Sequence, residues 1–249
     1  MNIKENCKIL KLSYIFKNYE EEIKEAKQTK KDVEIFLDEL LEKEINQRKE
    51  NGIKKRLRYA KFPIKKYLED FDKKLYNPEF IKEFDELERL EFIEKKENII
   101  LVGTPGAGKT HYAIGLGTKA CMEGKSVLFI SVPNLIIELK EAMSRSQLTT
   151  YKRKFEKYDL VILDELGYVS FDKEGCEILF NLLSNRNDKG SIIITTNLTF
   201  DRWEEIFKDA MLTGAMVDRL AYKAHILDLS RDVSHRYEET VSWKNSKNM

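Results

Sequence analysis

The stretch "LVGTPGAGKTHYA", residues 101–113, holds Gly103, Gly108, Lys109 and Thr110 in the spacing G-x-x-x-x-G-K-T, directly after the apolar run 99–102. Glycines at 103, 106 and 108 let the backbone curl until its N–H groups converge, and a helix starting behind them adds the positive end of its dipole. Such a loop holds a polyphosphate. Residues Gly103, Thr104, Pro105, Gly106, Ala107, Gly108 and His111 surround it, Lys109 brings a point charge to the β- and γ-phosphates, and the Thr110 hydroxyl reaches magnesium. A chance glycine-rich turn is the competing reading. A strand before the motif and a helix expected over 110–122 argue against it.

Further residues fit the same chemistry. In "YDLVILDEL", 158–166, a buried strand ends in Asp164 and Glu165. Asp164 suits the acid that holds magnesium through its water shell. Glu165 suits a general base polarising a water for in-line attack on the γ-phosphate. Alone the pair reads as a solvated strand end; beside a phosphate loop it reads as hydrolytic machinery, because a kinase must exclude water. In "SIIITTNL", 191–198, the strand end puts the Asn197 amide where it can orient that water, although Asn is also a common strand terminator. In "MLTGAMVDRLAYKAHILDL", 211–229, Arg219 is a candidate finger for a neighbouring subunit's γ-phosphate, or half of a surface pair with Asp218. Arg236, in "DVSHRYEE", is a candidate phosphate sensor within its own subunit.

The elements that must position these groups come in two textures. From about residue 98, apolar runs at 99–102, 127–130, 160–163, 192–194 and 225–229 alternate with helical patterns, which implies βαβ units and a parallel sheet covered on both faces. Residues 1 to about 85 contain no strand-like run. Within them Val33, Phe36, Leu37, Leu40, Leu41 and Ile45 recur at helical spacing, one apolar stripe on a charged rod. The division read from these textures is a helical N-terminal domain at 1–66, a linker at 67–97 docked through Phe62, Phe71, Tyr76 and Phe80, and a nucleotide-binding domain at 98–249.

Composition removes other classes. The apolar share of 42% supports a sizeable core. Cys7, Cys121 and Cys176 form no C-x-x-C pair, and His111, His225 and His235 are scattered, so neither a disulfide framework nor an all-protein metal site is expected. No 18-residue apolar run and no signal-peptide core occur, so the expectation is a soluble, cytoplasmic protein without a membrane partner.

Taken in order, these elements resemble those of AAA+ ATPases, and more specifically the IstB/DnaC family. The resemblance covers nearly the whole chain: "FPIKKYLEDFD" resembles that family's linker, "LVILDELGYVSFDKEGCEILFNLLSNR" its second nucleotide motif and following helix, and "MVDRL" and "VSHR" the places of its arginine finger and second sensor. The "DELGYVSFDKEG" and "LEDFD" segments look more like IstB, the ATP-dependent helper of transposases. The resemblance implies an AAA+ core with a parallel five-stranded sheet, a small all-α N-terminal domain, ATP and Mg2+ as ligands, and Thr110 and Asp164 as magnesium residues. It further implies a homo-oligomer that remodels double-stranded DNA for a partner transposase, with hydrolysis at subunit interfaces driving release. The alternative within the family is a DnaC-like helicase loader acting on single-stranded DNA.

Charge distribution supplies the candidate DNA surfaces. Residues 1–42 carry 8 Lys/Arg against 10 Asp/Glu, whereas 43–66 carry 10 against 2, or +8. Lys54, Lys55, Arg56 and Arg58 lie in that second segment; Arg145, Lys152, Arg153 and Lys154 form another basic run in 144–158. Basic runs meet phosphates without reading bases, and the plain alternative is a solvated helix face. Tyr59 and Tyr151 are the aromatic neighbours of these runs read as possible stacking platforms, few enough to favour duplex backbone over stacked single strand. A small-molecule kinase would explain the phosphate loop but leave Glu165, Asn197, Arg219 and the helical arm without roles.

Overall fold

The computed structural model describes residues 2–168, 170–186 and 188–230. The chain divides into two compact units, 1–55 and 56–249. This boundary falls earlier than the one at 66 read from the sequence, because Leu57, Ala60 and Phe62 pack into the core of the second unit.

The first unit holds α1 (Ile3–Ile9), α2 (Ser13–Gln28) and most of α3 (Val33–Ala60). Asn2 and Glu5 close α1 with reciprocal side-chain to backbone bonds of 3.0 Å. Helix α2 lacks such a cap of its own. The carboxylate of Glu44, from α3, takes its place and accepts the N–H groups of Ser13, Tyr14 and Ile15 at 3.1, 2.7 and 3.2 Å. Arg48 donates to the same carboxylate at 3.0 Å and to the carbonyl of Lys11 at 2.8 Å. The apolar stripe expected on α3 does lie on one helix, and only part of it is covered. Leu40 is buried and Phe36 packs beside it, but Leu37, Leu41 and Ile45 stand 53%, 43% and 50% exposed.

The second unit is a parallel sheet between two helical layers. Its elements run α4 (Pro78–Leu87), α5 (Glu91–Lys95), β1 (Asn98–Val102), α6 (Lys109–Met122), β2 (Val127–Ser131), α7 (Val132–Ser144), α8 (Leu148–Phe155), β3 (Leu160–Leu166), α9 (Lys173–Ser184), β4 (Ser191–Thr196), α10 (Glu204–Phe207), α11 (Ala210–Ala221) and β5 (Ala224–Asp228). The strand order is β2-β3-β4-β1-β5, with every pairing parallel. Alternate strand residues feed opposite cores. Ile100, Val161, Leu163, Ile192 and Ile194 pack with α7, α9 and α11, while Ile99, Leu101, Ile162 and Ile193 pack with α6, α4 and the linker. That period of two inside an unbroken apolar run is what burial on both faces requires. Phe62, Phe71, Tyr76 and Phe80 dock as expected, Phe71 fully and the others in part.

Arg186 has no counterpart in the sequence reading. It is 0% exposed and donates to the carbonyls of Phe155, Tyr158 and Ser191 at 2.9, 2.7 and 3.2 Å, tying the end of α8 to the start of β4. Burial pushes its guanidinium down to about 10, against the nearby charges of Asp159 and Glu156.

Candidate nucleotide site

The strand order decides which groups meet. β4 lies between β1 and β3, so the phosphate loop at the end of β1, the acids at the end of β3 and Asn197 after β4 share the carboxyl edge of the sheet. Ligands of open α/β sheets collect along that edge.

The loop is shaped by glycine. Gly108 sits at φ +86°, and a Cβ there would come within 2.5 Å of the Tyr76 hydroxyl. It precedes α6 directly, so the first N–H groups of a 14-residue helix face the loop. The Lys109 ammonium crosses the loop to donate to the carbonyls of Gly103 and Thr104 at 2.6 and 2.9 Å. The residue as a whole is buried, 6% exposed.

Asp164 joins the two halves. Its Oδ1 accepts the hydroxyl of Thr110 at 2.9 Å and that of Thr195 at 2.6 Å. Thr195 in turn accepts the N–H of Glu165 at 3.1 Å. The β3–β4 register slips here: Leu163 pairs with Ile194, and the next pair is Leu166 with Thr196. Three steps on one strand match two on the other, a bulge that re-aims a side chain. Glu165 carries the consequence at φ +64°, a left-handed conformation for a residue other than glycine. It alone of the seven residues of β3 is exposed. Asn197 completes the edge. Its Oδ1 is buried without a hydrogen-bond partner among the described residues, and a Cβ on Gly167 would lie 3.0 Å from it.

Other expected residues lie apart from this edge. Arg219 projects from α11 onto α9, with its guanidinium 4.4 Å from the centre of the Phe180 ring and a hydrogen bond to the Ser184 hydroxyl. Arg236 lies outside the described residues. His111 turns to the linker, its Nε2 3.1 Å from the carbonyl of Tyr67. Of the candidate DNA residues, Arg56 is occupied inside the second unit, where Nε donates to the Cys121 carbonyl at 2.7 Å. Lys55, Arg58, Arg153 and Lys154 are exposed, and Lys152 is partly so. Lys54 and Arg145 pair with Glu50 and Glu141 at 3.6 Å. Thr195 is the site residue that sequence reasoning passed over. Its only signal was its place near the end of a strand, two residues before Asn197.

The fold and this edge define the class: a P-loop nucleotide-binding domain of the AAA+ type. The crystal structure of the DnaC helicase loader matches it with a TM-score of 0.56 at 20% identity, over 65% of this chain and 95% of that one. The family follows from the sequence as a whole. The family model for IstB-like ATP binding proteins matches residues 5–241, and the chain belongs to that family. It is 36% identical over 230 residues to the insertion sequence IS21 putative ATP-binding protein of Pseudomonas aeruginosa, covering 92% of this chain and 86% of that protein. It is 35% identical to the insertion sequence IS5376 putative ATP-binding protein of Geobacillus stearothermophilus, over 82% of this chain and 81% of that one.

Proposed function

We infer that this chain is a DNA-binding ATPase that multimerises on duplex DNA and presents it to a partner transposase, with ATP hydrolysis between subunits ending the engagement. The observation that carries the reading is the position of Asp164, bonded at once to Thr110 of the phosphate loop and to Thr195 of the next strand. Its context is a family whose matched members are ATP-binding proteins of insertion sequences.

The residues present fit a nucleoside triphosphate and its metal. Lys109 offers a charge where phosphate oxygens would replace its carbonyl partners, and Asn197 Oδ1, without a partner among the described residues, offers an acceptor at the same edge. Thr110 and Asp164 would hold Mg2+, which when bound neutralises charge on the phosphate oxygens. Glu165 takes a proton from the attacking water as the water oxygen bonds to the γ-phosphorus. The bond from phosphorus to the β–γ bridging oxygen breaks, and ADP carries the electron pair away. Asn197 accepts the water's other hydrogen and so fixes its direction. Arg219 acts in a neighbouring subunit's site, where a cation stabilises the charge of the transition state.

The DNA surfaces are the last turn of α8 with Lys152, Arg153 and Lys154, and the basic half of α3 with Lys54, Lys55 and Arg58. The test is binding to a random-sequence duplex and to one of its strands, with and without ATP. Duplex binding that requires ATP and weakens steeply with salt is the expected result. Preference for the single strand would instead identify a helicase loader.

A further inference from the structure

The linker crosses the outside of the phosphate loop, and two aromatic rings make the contact. Phe71 and Tyr76 stack with centroids 5.0 Å apart and planes 15° from parallel. Phe71 also packs on Tyr112 at 4.9 Å and Phe84 at 5.6 Å, so the pair is anchored in the core of its own unit. From that anchorage the Tyr76 hydroxyl donates to the carbonyl of Ala107 at 2.7 Å.

A peptide unit is planar and trans, so its C=O and its N–H point in opposite directions. Holding the Ala107 carbonyl against Tyr76 therefore turns the Gly108 N–H away from the linker and toward the concave side of the loop, where the phosphate-binding N–H groups collect. The peptide needs holding. Glycines flank Ala107 on both sides, at φ +82° and +86°, and glycine crosses between backbone regions at little steric cost.

We propose that Tyr76 is a positioning residue for the phosphate loop: its hydroxyl fixes the Ala107–Gly108 peptide in the orientation that receives phosphate, and so sets nucleotide affinity without touching the nucleotide. The proposal rests on the reading of residues 103–110 as the ATP site. It also gives the linker a direct mechanical route to that site, since a shift of the Phe71–Tyr76 pair would release the peptide.

The hydroxyl and the ring can be tested separately. Fluorescent mant-ATP is titrated into the full chain as wild type, Tyr76→Phe, Tyr76→Leu and Lys109→Ala, with Tm measured in the absence of nucleotide. Tyr76→Phe keeps the ring stack and removes the donor. Its Kd for mant-ATP rises roughly five- to tenfold, the effect of one part-buried hydrogen bond, while its nucleotide-free Tm and its kcat at saturating ATP stay at wild-type values. Tyr76→Leu, which also loses the stack, weakens binding further. Wild-type affinity in Tyr76→Phe together with lost affinity in Lys109→Ala overturns the role of Tyr76 alone. Wild-type affinity in both variants overturns the nucleotide site beneath it. A clear fall in the nucleotide-free Tm of Tyr76→Phe, with kcat reduced as well, makes the hydroxyl a contact of the fold and also defeats the proposal.

Discussion

Thr195 and Asp164 are bound side chain to side chain at 2.6 Å, and the same Thr195 hydroxyl receives the backbone N–H of Glu165 at 3.1 Å. One residue of β4 thus fixes both acids at the end of β3. Replacing it with valine keeps the shape and removes both bonds. Under the proposed function Thr195→Val should lower ATP hydrolysis by roughly 10- to 100-fold through misplacement of the acids, while the Kd for ATP changes little and Thr195→Ser stays near wild type. Equal rates in the valine and wild-type proteins would show that the bridge is structural only.

Glu165 is held at φ +64°, which a side chain tolerates poorly. Strain of this kind costs on the order of 1–3 kcal/mol and persists where the surroundings impose it. Two substitutions separate strain from chemistry. Under the proposed function Glu165→Gln keeps the strain, keeps ATP and DNA binding, and loses hydrolysis by at least about 100-fold. Glu165→Gly loses hydrolysis as well but unfolds at higher temperature than Glu165→Gln, by about 1 kcal/mol of stability. The comparison needs only a thermal melt of each variant beside its turnover, and an equal Tm for the two would deny the strain.

Arg219 rests on Phe180 and Ser184 of its own chain, yet the proposed mechanism needs it in a neighbouring site. Mixing decides between these roles. Arg219→Ala and Glu165→Gln proteins are each inactive alone under the proposal. Mixed in equal amounts they regain part of the activity, because some interfaces then pair an intact Glu165 with an intact Arg219. Absence of any recovery, with normal co-assembly, would leave Arg219 as a clasp between α9 and α11.

The sheet was legible because its strands are buried on both faces, which writes them as short unbroken apolar runs between helical patterns. The turn of the loop at 103–108 was legible because its left-handed backbone demands glycine at fixed spacing. Residues that act through tertiary contact left no such mark. Arg186 sits in "SNRNDKG", which reads as a surface turn, and only the fold shows three carbonyls converging on it. The basic segment shows a second limit. Charge counts cannot tell a cation facing solvent from one used internally, and Lys43, Arg48 and Arg56 are bound to Glu22, Glu44 and the Cys121 carbonyl. The exposed half of the α3 stripe was invisible for a related reason: helical spacing marks an apolar face but not how much of it a neighbour covers.

Glu44 makes the N-terminal unit sensitive to acid. Burial raises its carboxyl, but the bonds from the Ile15 N–H, Arg48 and the N–H groups of Tyr14 and Ser13 together outweigh burial and hold it below the usual carboxylate range. A group with a lowered folded pKa stabilises fully above its unfolded value, near 4.3, and that contribution is lost as pH falls through the folded value. The α2 helix should therefore keep constant protection from pH 7 to about 5 and loosen below about 4. Hydrogen exchange at the amides of residues 13–15 in the full chain reads this directly. Glu44→Gln, which cannot carry the charge, should be less protected at neutral pH by about 2 kcal/mol. The gap to wild type should close on acidification, as the wild-type carboxyl takes up its proton. A gap that stays constant from pH 7 to pH 3 would mean that the shape of the side chain, and not its charge, caps α2.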